Sequence, residues 1–193
     1  MRDFSLNRDE RWPTPLIFLH WLSVLLILAA FAFVLGRELL ESRTLRSLLL
    51  DWHKNAGVLL LLLTLLRLPL AIALRYRAPR HDLPPLERLA ALAVRLALYG
   101  ALLAVPLLGW ARTNAAGHGV ALYGFLPLPA IAPNDPDLAD QLGEWHETAA
   151  WIFLALIIVH ALAALRHHVF VRDGVLTAML PFPAQKRSQG DLP

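Results

Sequence analysis

"EWHETAAWIFLALIIVHALAALRHH", residues 144–168, has the length and apolarity of a membrane-crossing helix yet contains four histidines. Two of them, His146 and His160, stand fourteen residues apart with a near-unbroken apolar run between them. An imidazole is a costly group to turn toward lipid, so a histidine inside such a run is expected to face inward and to have a partner. What those two rings meet decides the fold and the chemistry.

The rest of the chain has the same character. It has 193 residues, 57% of them hydrophobic, and a mean hydropathy of +0.51. An ordinary soluble domain has about half its residues apolar. There is no cysteine, which excludes disulfides, thiolate zinc sites, iron–sulfur clusters and covalently attached c-type haem together. The sequence pI of about 9.8 does not point to nucleic acid. The basic residues form short clusters beside apolar runs, a pattern that reports membrane topology.

Four segments are long and apolar enough to cross about 30 Å of hydrocarbon, at approximately 14–36, 50–74, 87–110 and 143–166. The first has no short apolar core with a small-residue cleavage site and is read as an uncleaved helix. Pro13 and Pro15 stand where a helix start tolerates proline. Pro69 is expected to kink the second span, and the third is the least apolar because it holds Arg95. Basic residues are unevenly shared between the two sides. The head, the loop between spans two and three, and the tail carry Arg2, Arg8, Arg11, Arg75, Arg77, Arg80, Arg88, Arg166, Arg172, Lys186 and Arg187. The other side carries only Arg37, Arg43, Arg46, Lys54 and Arg112. The positive-inside rule therefore puts both termini in the cytoplasm. The long outer loop, "TNAAGHGVALYGFLPLPAIAPNDPDLADQLGE", is expected to fold over the outer mouth without forming a separate domain.

On this topology the histidines sort by depth. His20 and His160 each lie about six residues, roughly 9 Å, below the inner surface. His53 and His146 each lie a few residues in from the outer side. Along the fourth span, fourteen residues separate the two layers by about 21 Å and return within about 40° of the same face. One helix thus offers a ligand to each layer, and two other helices each offer a partner. That is the geometry of two stacked haems, each held by two histidines. An iron so held has no open position and passes electrons more readily than it activates oxygen. A proton or metal-ion transporter using the same histidines is the alternative, since a lone membrane histidine more often bonds a neighbouring helix or relays protons.

The segments "LHWLSVLLILAAF", "WHKNAGVLLLLLTLLRL", "LYGALLAVPLLGW", "EWHETAAWIFLALIIVHALAALRHHVF" and "DGVLTAMLP" resemble the bacterial cytochrome b561 family, from about residue 11 to residue 181. The resemblance implies an all-α integral membrane four-helix bundle enclosing two b-type haems, in a single domain over 1–181 with a disordered tail at 182–193. It assigns the haem ligands to His20, His53, His146 and His160, the residues already paired by depth. It implies a multi-pass inner-membrane protein of the respiratory chain. The family's best-described activity is superoxide oxidation at the periplasmic face with electrons passed to ubiquinone; other members are treated as electron carriers. A haem-bearing anchor for a separate redox protein is a second reading, and a haem-free histidine transporter a third.

Other residues are candidates for supporting roles. Arg67 lies fourteen residues from His53 on the same face and near the inner layer. It either contacts a haem propionate, as a bidentate fork suits, or snorkels to the interface; Arg95 has the same two readings. Gly57 lies one turn below His53, where it would let a haem approach the backbone or serve close helix packing. Arg43, Arg46, Lys54 and Arg112 form an outer rim that would attract an anion such as superoxide or anchor lipid headgroups. His167, seven residues after His160, is assigned to a quinone site as a proton donor, and His168 to the headgroup region. His81 and His118 are read as solvated loop residues.

Overall fold

The structure is a computed structural model describing residues 11–77, 79 and 84–181. His81, Arg80, the basic head and the tail at 182–193 lie outside the described residues. Four long helices account for most of the chain: α1 (Thr14–Glu38), α2 (Arg43–Ala73), α3 (Pro85–Ala115) and α4 (Pro136–Arg166). Each contains a window apolar enough to cross a membrane.

The helix ends follow from local chemistry. Pro13 caps α1 with Pro15 in its first turn, and Pro84 and Pro85 begin α3, positions where the missing N–H costs nothing. Asp135 caps α4, its carboxylate accepting from the N–H groups of Asp137 at 3.0 Å and Leu138 at 3.1 Å, a preferred N-cap arrangement. Apolar windows locate the spans but miss their outer extensions: α2 begins at Arg43 rather than near 50, α3 runs on to Ala115, and α4 begins at Pro136. Those extra turns carry polar residues and project past the apolar stretch. Pro69 does not break α2, which continues to Ala73.

The outer loop is correspondingly shorter than its sequence suggests and contains a small antiparallel hairpin, β1 (Ala121–Leu122) with β2 (Leu126–Pro127). Among the described residues the other regular elements are helical, and this hairpin holds the only strands. Asn55 of α2 holds it, its side-chain oxygen accepting from the Tyr123 N–H at 2.6 Å. Asn114 of α3 secures the loop from below by accepting from the Ile131 N–H and donating to the His118 carbonyl.

At the opposite end the chain folds back on itself. After α4, a π turn (His167–Val171) closes with the Arg172 N–H on the His167 carbonyl, and Arg172 adopts φ +57°. A short 3-10 segment (Thr177–Met179) then lies against the start of α1. There the Trp12 N–H, the Trp21 indole N–H and the Arg11 side chain donate to the carbonyls of Ala178, Met179 and Leu180. The first and last described segments therefore share one end of the bundle, called the inner end below.

Close backbone contact joins α1 to α2, α3 to α4 and, less extensively, α2 to α3. Little of it joins α4 to α1 or α2. The bundle is two tight helical hairpins with an open seam, and the histidines face each other across that seam.

Candidate functional site

The four histidines predicted from depth come together in the predicted pairs. His53 of α2 faces His146 of α4 with ring centres 6.1 Å apart and planes at 89°. His20 of α1 faces His160 of α4 at 6.4 Å and 74°. A metal–imidazole bond is about 2 Å and the ring centre lies roughly 1 Å behind the nitrogen, so one metal between two opposed imidazoles sets the centres about 6 Å apart. Both pairs have that spacing. Among the described residues no cluster of three or more His, Asp or Glu side chains is arranged to hold a metal ion.

The outer pair is oriented by backbone carbonyls. His53 donates from Nδ1 to the Ala30 carbonyl of α1, and His146 from Nδ1 to the Val105 carbonyl of α3, each at 2.9 Å. A carbonyl only accepts, so each Nδ1 carries the hydrogen and each Nε2 keeps a free lone pair, as a metal ligand requires. Gly109 of α3 makes the His146 position available: a Cβ there would lie 3.0 Å from the ring's Cε1. Neither Gly109 nor the Val105 carbonyl stands out in the sequence, where both belong to an apolar run.

A cavity of about 360 Å³ opens beside this pair, with Gly57, Trp110, Arg112 and His118 on its walls. A Cβ on Gly57 would meet nothing within 4 Å. Its small size therefore serves the open space, and no helix packs against it. The Trp110 Nε1 is buried without a hydrogen-bond partner among the described residues. His118 is exposed, as expected of a loop histidine, but sits on this wall. The positive rim is partly neutralised: Arg46 meets Glu38 at 3.4 Å and Lys54 meets Asp51 at 3.8 Å. Arg112 enters no ion pair among the described residues and lies against Gly143, where a Cβ would come within 2.9 Å of its Nε.

The inner pair has different surroundings. Arg67 is brought to it, as the fourteen-residue spacing implied, and donates from Nη2 to His20 Nδ1 at 3.2 Å. A guanidinium only donates, so in this arrangement His20 holds its hydrogen on Nε2. Ligation through Nε2 requires the other tautomer and a turn of Arg67 toward a new acceptor. Its Nε is buried without a hydrogen-bond partner among the described residues, and its guanidinium lies 5.6 Å from the Tyr99 ring. Such a group calls for an anion. His160 is exposed toward the seam, and Arg95 lies 5.9 Å from the Trp12 ring.

Between the layers lies a dry plug that the sequence reading did not single out. Leu60, Leu102 and Phe153 form a buried cluster. Leu60 falls midway between His53 and Arg67, and Phe153 midway between His146 and His160. The signal was a seven-residue spacing within each inward face, which an apolar residue obeys without drawing notice.

His167 is half-buried at the inner end, with its Nδ1 2.5 Å from Asp173 Oδ2. Asp173 also accepts from the Val175 N–H. The π turn produces this pairing by returning the chain toward His167. His168 is exposed.

Comparison with known proteins agrees with this architecture. The family model for prokaryotic cytochrome b561 matches residues 11–182. Cytochrome b561 homolog 2 of Escherichia coli K12 is 30% identical over 181 residues, covering 90% of this chain and 93% of that protein. Cytochrome b561 homolog 1 of the same organism is 33% identical over 175 residues, covering 89% and 98%. A protein of Yersinia pestis named probable superoxide oxidase CybB is 30% identical over 167 residues, covering 86% and 93%. With four membrane-crossing helices and a family match over nearly its whole length, the chain belongs to the prokaryotic cytochrome b561 family, multi-pass electron-transfer proteins of the bacterial inner membrane that bind b-type haem.

Proposed function

We propose that this protein carries electrons through two b-type haems, from a donor on the periplasmic side to ubiquinone near the cytoplasmic side. The observation that carries this reading is the pair of histidine couples, each with the ring spacing of one bound metal, facing each other across an open seam. His53 and His146 would hold the outer haem, His20 and His160 the inner one, with α4 contributing to both. Haem bound in this way supplies one-electron exchange at an iron without an open position.

The chain's own residues set the conditions. Ala30 and Val105 fix the outer imidazoles through their carbonyls, and Gly57 and Gly109 clear the space beside them. Arg67 would pair with a propionate of the inner haem in place of His20, which would satisfy its buried guanidinium and leave His20 Nδ1 to hold the hydrogen. Leu60, Leu102 and Phe153 keep water out between the layers. The excess of basic residues in the sequence of the head, the loop between the second and third spans and the tail supports a cytoplasmic position for both termini.

Superoxide is the proposed donor. A relative's name supports it, as does Arg112 at a cavity beside the outer pair. Two superoxide ions give two electrons and two molecules of oxygen; a quinone takes the two electrons with two protons. His167 would hold a proton at Nε2 for the quinone, with Asp173 keeping the hydrogen on Nδ1. The test is stopped-flow absorbance of the purified protein mixed with superoxide, with and without a ubiquinone analogue. Reduction of a b-type spectrum, followed by reoxidation only when quinone is present, is expected. Reduction by quinol but not by superoxide would remove the proposed donor, and absence of a b-type spectrum would remove the whole reading.

A further inference from the structure

The two histidine pairs have the same ligands but different hydrogen-bond partners, and the difference bears on the direction of electron flow. At the outer pair, both imidazoles donate from Nδ1 to backbone carbonyls. Such a bond makes the ring a stronger electron donor to its metal and so favours the oxidised, more positive state. The inner pair has no carbonyl bond of this kind among the described residues. Beside it stands the Arg67 guanidinium, which touches His20 here and would turn to a propionate of the bound haem.

The surrounding charges differ in pairing and depth. Two of the outer cations have acids beside them, Arg37 3.4 Å from Glu38 and Lys54 3.8 Å from Asp51, and Glu147 follows His146 in the chain, while Arg112 at the rim is in no ion pair among the described residues. These cations also stand at the outer end of the bundle, where charge is more readily screened. Arg67 is in no ion pair among the described residues, and its Nε is buried. Arg95 packs against Trp12 and likewise is in no ion pair among the described residues. The buried Leu60–Leu102–Phe153 cluster separates the layers, and their spacing of about 21 Å along α4 confines most of each charge's effect to its own layer. Each haem brings the same propionates, so the protein's charges and hydrogen bonds make the difference.

We infer that the chain poises the inner haem at a higher reduction potential than the outer one, with Arg67 as the principal residue raising it, so that each electron entering at the outer face moves downhill toward the cytoplasmic side. The step is the passage of one electron between the two centres, with no bond made or broken and no proton moved. This inference rests on the di-haem reading but is separable from it.

The test is a redox titration of the full-length haem-loaded protein in detergent, followed by low-temperature EPR. A membrane-impermeant dysprosium chelate, added outside right-side-out vesicles, broadens the signal of the outer haem and so assigns the components without mutation. The expected result is that the unbroadened component has the higher potential. Arg67→Met should lower that component and leave the other in place, and Arg67→Lys should restore most of the shift. If Arg67→Met does not assemble, the ordering in the unaltered protein still decides. The inference fails if the broadened component is the higher one, or if Arg67→Met moves both equally or neither. Fewer than two haems per chain would instead overturn the di-haem reading, a separate outcome read directly from haem content.

Discussion

Replacing Gly109 by alanine would add a single methyl group facing the ring of His146. Its carbon would lie 3.0 Å from Cε1 and 3.2 Å from Nδ1. Carbon contacts are most favourable at about 3.5–4.0 Å, so ring or helix must yield by about half an ångström or more. Overpacking of this kind costs about 1–3 kcal/mol. A retreating ring also stretches the 2.9 Å bond from Nδ1 to the Val105 carbonyl, whose loss adds about 0.5–1.5 kcal/mol. The sum, about 1.5–4.5 kcal/mol, corresponds to about ten- to a thousandfold weaker outer-haem retention at 1.4 kcal/mol per tenfold. Helix stability is not the lesion, since alanine favours a helix over glycine by about 1 kcal/mol. The assay is haem transfer to excess apomyoglobin, with EPR recorded at intervals. One component should leave faster than in the parent protein while the other leaves at the parent rate. Parent rates for both, with unchanged EPR signals, would refute the argument that α3 sets the position of His146.

Other residues give shorter tests. Arg112→Gln should slow superoxide-driven reduction and flatten its dependence on ionic strength, because Arg112 is the pocket cation without an acid in an ion pair among the described residues; an unchanged salt profile would count against steering. Asp173→Asn should slow quinone reduction about tenfold or more and leave superoxide-driven haem reduction intact, a split that stopped-flow mixing resolves. Equal slowing of both half-reactions would place Asp173 in the scaffold. Phe153→Ala should destabilise the bundle by about 3–5 kcal/mol, the range for truncating a buried aromatic. A thermal transition unchanged in detergent would show that the plug between the layers carries no packing energy.

The histidine layers were legible because polar residues are scarce inside apolar runs, and each one there has to be explained by depth. The same scarcity exposed Arg67. Depth could not show its contact, since whether Arg67 reaches His20, a propionate or the membrane surface depends on which way a long side chain turns. Gly109, Trp110 and the Val105 carbonyl were illegible for the opposite reason: a small residue, an aromatic and a backbone oxygen look alike in every membrane helix until a neighbouring ring is placed against them. The pairing of His167 with Asp173 depends on a π turn and on Arg172 at positive φ, and periodicity assumes that a helix continues regularly. Hydropathy likewise located the spans but not the polar turns that carry α2, α3 and α4 past them, nor the hairpin held by Asn55.

The central claim is that α4 serves two separate haem centres, one through His146 and the other through His160. Haem content by the pyridine haemochrome assay, combined with EPR of His146→Ala and His160→Ala, tests it most directly. Two haems b per chain in the parent protein and one in each variant, with a different EPR component lost in each, is the predicted result. A single haem in the parent, or the same component lost from both variants, would contradict it.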